Sequence, residues 1–84
     1  MIIVKIYKAI SLKILKIIRI RGMDITVNKL ANICCLTQST VDSIINGKSK
    51  NSKLLTLVRI CDGLSITLSD FFYDELFVII DRED

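Results

Sequence analysis

A chain of 84 residues makes one domain, and a hydrophobic fraction of 51% is enough for one core. With 3 Gly, no Pro, no Trp and Ile and Leu recurring at helical spacing, the composition excludes a strand-rich fold and points to an all-α domain with short turns. The net charge of +3 hides an asymmetry: residues 1–59 carry eleven Lys and Arg against two Asp, while residues 60–84 carry one Arg against seven Asp and Glu, so a basic body with an acidic tail suggests a polyanionic partner.

From about Lys5 to Arg21, Ile6, Ile10, Ile14, Ile17 and Ile18 line one side of a predicted helix, and Lys5, Lys8, Lys16 and Arg19 line the other. The cationic stripe is read as a solvated face, a polyanion-binding face or, less in keeping with the rest of the chain, a membrane-surface face. A membrane span needs about 20 consecutive apolar residues. The most apolar stretch, Met1 to Ile20, is broken by five Lys and Arg, which also rules against a signal peptide, so a soluble, cytoplasmic protein is expected. Gly22 is placed to end the helix in a left-handed conformation.

Thr26 is the expected N-cap of a second helix reaching about Cys34, with Val27, Leu30, Ala31 and Ile33 turned inward. The 3 cysteines, Cys34, Cys35 and Cys61, are odd in number and accompanied by no His, which argues against a disulfide framework or a metal site. They are read as core-filling thiols in a reducing compartment; redox sensing by Cys35 lacks a charged neighbour in sequence. After a tight turn, Thr37 caps a third helix in which Val41, Ile44 and Ile45 are apolar anchors, while Gln38, Ser39, Asp42 and Ser43 form a wet, nearly uncharged face.

Asn46-Gly47 stops this helix, and Lys48, Lys50 and Lys53 crowd the following loop. Asn51 or Ser52 is the expected cap of a fourth helix, whose inward positions are Leu54, Leu57, Val58, Cys61 and Leu64 and which Asp62-Gly63 is expected to close. Thr67 opens a short fifth helix, with Asp70 as the acidic member of a capping box and Phe71 and Phe72 packing it down. The apolar run from Leu76 to Ile80 fits strand or helix equally. It must be covered, either by the first helix or by a second copy.

A helix, a sharp turn and a second helix with polar residues at its N-terminal end let one helix enter the major groove while the other braces it across the backbone. Ala31 supplies the small residue needed where the two cross, and Val41 and Ile44 pack beneath. Leu30-Ala31, Leu36-Thr37-Gln38-Ser39-Thr40-Val41, Ile44, Asn46-Gly47-Lys48, then Leu54, Leu57, Ile60 and Leu64-Ser65-Ile66 closely resemble the lambda-repressor/Cro-like helix-turn-helix family, also called the XRE family. The resemblance runs from about Leu12 to Phe72.

That resemblance implies a compact five-helix DNA-binding domain, here residues 1–73, followed by a tail, residues 74–84, in a short extended form or as a dimer contact. It implies that Gln38, Ser39 and Ser43 contact bases, and that Thr26, the N–H groups opening the second helix, Asn46 and Lys48 contact phosphates. Lys50 and Lys53 join the phosphate set as neighbouring cations. Asp42 joins the base-contacting set through cytosine N4, since phosphate would otherwise repel it. Three positions depart from the family's habit: Cys35 replaces the turn Gly, Ile45 replaces a Glu, and Ser52 replaces a Pro.

The expected function is that of a regulator, most simply a repressor that binds an inverted-repeat operator as a homodimer. An alternative of another class is an antitoxin-type interaction module whose DNA binding is secondary. No His, glycine-rich phosphate loop or nucleophile with a nearby base is present, so neither an enzyme nor a cofactor is expected. A small-molecule effector is left open.

Overall fold

A computed structural model describes residues 4–50 and 52–81. In chain order the elements are β1 (Val4–Lys5), α1 (Ile6–Ile20), α2 (Val27–Ile33), α3 (Gln38–Ile45), α4 (Leu54–Gly63), α5 (Leu68–Phe72), a 3-10 turn (Glu75–Phe77) and β2 (Ile80–Asp81). The five helices surround one core in which Ile10, Ile14, Leu30, Ala31, Val41, Ile44, Ile60, Leu64 and Phe71 are buried. Among the described residues, no helix is long and apolar enough to cross a membrane.

Threonine opens three of the helices in the same way. The Oγ1 atoms of Thr26, Thr37 and Thr67 accept from the N–H groups of Lys29, Thr40 and Asp70 at 3.1, 3.2 and 3.0 Å, satisfying donors the first turn would leave orphaned. At α5 only this half of the expected capping box forms; the Asp70 carboxylate does not return to the Thr67 N–H. At α4 the expectation fails: Lys53 is the N-cap residue, without a side-chain cap bond, and Ser52 instead pairs its hydroxyl with Ser49 at 3.1 Å. Asn51 lies outside the described residues.

The first four helices end alike. Gly22, Cys35, Gly47 and Ser65 are left-handed, at φ 63°, 57°, 69° and 58°. In each case the next N–H reaches back to the last turn: Met23 to Ile18 O, Leu36 to Ala31 O, Lys48 to Ser43 O and Ile66 to Cys61 O, at 2.9–3.0 Å. Met23, Leu36 and Ile66 also pack on the core, completing the usual apolar contact of this ending. Ser65, rather than Asp62-Gly63, therefore reverses the chain after α4. Gly63 is helical and serves packing instead of chain reversal. A Cβ there would lie 2.5 Å from Cys34 Sγ, so its absence lets α4 approach the end of α2.

Two inward assignments change. Ile33 and Leu54 are 46% and 63% exposed, because α2 and α4 present Leu30, Ala31, Leu57 and Ile60 to the core at those levels instead. Ile45 joins the core margin, and its carbonyl accepts from the buried Ser11 hydroxyl of α1.

Residues 74–81 of the tail fold back on α1. β2 pairs in parallel with β1, Val4 opposite Ile80 and Lys5 opposite Asp81. Phe77 joins Phe71 and Phe72, with ring centroids 4.9–6.0 Å apart. Asp74 caps the 3-10 turn by accepting from Leu76 N–H, and it also accepts from Lys16 at 2.8 Å and Lys13 at 3.0 Å. Those bonds hold its carboxyl well below the usual carboxylate range, Lys16 contributing most, then the Leu76 N–H, despite opposing burial.

Candidate DNA-binding interface

The α2–turn–α3 unit is clamped from beneath by Leu30, Ala31, Val41 and Ile44, all buried. Ala31 has no side chain beyond Cβ, so α3 can cross close to α2. Cys35 keeps the left-handed conformation that glycine adopts more easily, at a cost of about 1–2 kcal/mol. The helix-turn-helix geometry thus survives this departure.

The crossing leaves the opening of α3 facing outward. Gln38, Ser39 and Asp42 are exposed, and Ser43 is half-buried at the edge of the face. Thr37 and Thr40 tie their hydroxyls together at 2.8 Å just beneath that opening, fixing the first turn. Among the described residues no hydrogen bond engages the exposed Gln38 amide, which offers a donor and an acceptor that match adenine N7 and N6.

Asp42 and Asn46, which the sequence assigns to different contact sets, are joined: Asn46 Nδ2 donates to Asp42 Oδ1 at 3.0 Å, one helical turn apart. The bond orients both side chains and leaves a second carboxylate oxygen open. Thr26 uses its hydroxyl oxygen as an acceptor in the α2 cap, so its proton remains able to donate outward.

The loop after α3 is anchored to that helix, since the N–H groups of Lys48 and Ser49 both donate to Ser43 O, at 2.9 and 3.2 Å. Lys48 is thereby held beside Asn46, with Lys50 and Lys53 following; all three are exposed. Lys53 stands at the positive end of the α4 dipole, an unfavourable place for a cation unless an anion is near.

The cationic stripe of α1 divides. Lys5 is bridged to Asp81 at 2.8 Å, while Lys13 and Lys16 share Asp74. Part of the positive half of the chain is thus neutralised by its own acidic tail, and the charge asymmetry overstates the polyanion footprint. Lys8 behaves differently: its stem lies over Gly47, Cδ being 3.7 Å from where a Cβ would stand there. The sequence places Lys8 only in a stripe, because its approach to the α3–α4 loop depends on how α1 crosses α3.

An exposed polar helix opening, braced across a short turn by a second helix, defines a helix-turn-helix DNA-binding protein. The profile of the Cro/C1-type HTH DNA-binding domain matches residues 13–75, and the chain belongs to that family. Comparisons with curated proteins and with solved structures returned no match.

Proposed function

We propose that this protein is a sequence-specific transcriptional repressor that binds an inverted-repeat operator as a homodimer, with α3 in the major groove. The observation that carries the reading is the exposed face of α3, with Gln38, Ser39 and Asp42 outward over a buried clamp of Ala31, Val41 and Ile44. Gln38 reads adenine in bidentate fashion, Ser39 and Ser43 add adaptable contacts, and the open oxygen of Asp42 accepts from cytosine N4.

Phosphates are held on both sides of that helix. Thr26 and the N-terminal N–H groups of α2 serve one side; Asn46, Lys48, Lys50 and Lys53 serve the other. Lys53 at the start of α4 supports this assignment, because a bound phosphate turns an unfavourable cation–dipole pairing into a favourable anion site.

Dimerisation uses the tail side of the molecule, where Tyr73 and Val78 remain 88% and 72% exposed beside the aromatic cluster. A single module of this size makes few contacts, and pairing on two half-sites raises both affinity and specificity. The protein acts by occupying DNA rather than by catalysis.

Selection of bound duplexes from a random pool, at stated salt, tests the reading. An enriched two-fold symmetric site with half-sites about one helical turn apart is expected. Recovery of duplexes without any enriched sequence would overturn it.

A further inference from the structure

We infer that Lys8, in the first half of α1 and outside the residues matched by the family profile, is an additional phosphate contact that extends the DNA interface onto α1. The inference rests on the DNA-binding reading above and adds a surface to it.

Three observations converge. First, position: Gly47 has no side chain and is left-handed at φ 69°, so the Lys8 stem lies directly against the backbone between Asn46 and Lys48. An aliphatic stem packed on a glycine while its ammonium stays in water is the usual posture of a surface lysine beside a polar partner. Second, charge: Lys5, Lys13 and Lys16 of the same region are each within 3.0 Å of a tail carboxylate, whereas Lys8 has no salt-bridge partner among the described residues. The tail neutralises the α1 lysines that approach it and leaves the one beside the α3–α4 loop uncompensated. Third, surroundings: the loop it joins already carries Lys48, Lys50 and Lys53, all exposed. A fourth cation held beside them raises the local positive potential, against which Asp42, bonded to Asn46, sets a single carboxylate, and the excess favours a polyanion over a protein partner of mixed charge.

A phosphate contact has a distinctive signature. Each neutralised phosphate contributes about 0.9 to the slope of log affinity against log salt, independently of sequence. Lys8→Gln keeps Cβ, Cγ and a carbon at the Cδ position and removes the charge; Lys8→Arg retains the charge.

The test is fluorescence anisotropy of the full chain on its selected site and on a random duplex across a salt series, with thermal midpoints measured in parallel. Lys8→Gln is expected to weaken both duplexes equally, about 3–10-fold at low salt, and to reduce the salt slope by about 0.9 per bound chain. Lys8→Arg is expected to restore the slope, and neither variant to move the thermal midpoint. An unchanged slope with normal wild-type binding overturns the assignment of Lys8 and leaves the DNA-binding reading intact. Loss confined to the selected site, or loss matched by a fall in midpoint, also overturns it, as specificity or packing respectively. Failure of the wild-type chain to bind any duplex would instead overturn the parent reading.

Discussion

Gly63 and Cys34 approach so closely that a Cβ on the glycine would lie 2.5 Å from Cys34 Sγ and 3.1 Å from Cys34 Cα. This contact joins the end of α4 to the end of α2, and so holds the helix that leads into the recognition turn. Gly63→Ala gains helix propensity, about 1 kcal/mol, but forces buried backbone apart. A net loss of about 1–2 kcal/mol is expected in urea denaturation. Adding Cys34→Ala should recover part of it, because the sulfur is the nearest obstacle.

The Asp74 carboxylate should contribute to stability in a way that is lost in acid. Its folded pKa is held below that of the unfolded chain, about 3.9, mainly by Lys16 and then by the Leu76 N–H. Its contribution is therefore complete above about pH 5 and is lost as pH falls through 4 and below. Asp74→Asn should cost about 2–3 kcal/mol at neutral pH, leaving Lys13, whose side chain is 12% exposed, without a counter-ion, and should flatten that acid limb. At the alkaline end the sign reverses. Burial, with some help from neighbouring thiolates, pushes the Cys34 thiol up to about 11, and burial also raises Cys61. Both contributions are complete below the unfolded thiol value, about 8.5, and fade as pH rises above it, that of Cys34 towards 11. Urea midpoints across pH check both limbs.

Cys35→Gly should stabilise the protein by about 0.5–1 kcal/mol. The left-handed conformation at φ 57° costs a non-glycine residue about 1–2 kcal/mol, partly offset by glycine's greater freedom when unfolded. Cys35 is exposed, so no packing is lost. In the wild-type chain, Cys35 should be the thiol that reacts with a soluble disulfide reagent under native conditions, while the buried Cys34 and Cys61 react on unfolding.

Asp42→Asn should tighten binding to random duplex about 3–10-fold, since a negative charge leaves the DNA-facing surface. On the selected site the gain should be smaller, and preference for one C·G pair should relax. Anisotropy titrations with site variants at each position measure both effects.

The framework is legible in the residues wherever structure is decided locally. Thr26, Thr37 and Thr67 are caps because their own hydroxyls reach N–H groups three residues on, and the core periodicity of Leu30, Ala31, Val41 and Ile44 needs no distant information. Legibility fails where a distant contact decides. Gly63 reads as a helix stop until Cys34 is seen beneath it, and Ser65 then takes the left-handed position. The run from Leu76 to Ile80 is ambiguous on its own residues because its pairing partner, Val4–Lys5, stands at the opposite end of the chain. Within the candidate site, the residue types announce Gln38 and the lysines. The Asp42–Asn46 bond, by contrast, requires the rotamers of both, and the approach of Lys8 to Gly47 requires the α1–α3 crossing.

The central claim is that α3 reads bases through Gln38, and the most direct test is the affinity of Gln38→Ala for the selected site against random duplex, measured at one salt concentration. Sequence-specific reading predicts a loss of about 1–3 kcal/mol on the selected site, relaxed preference at a single base pair, and little change on random DNA. An equal loss on both duplexes, or none on either, would contradict it.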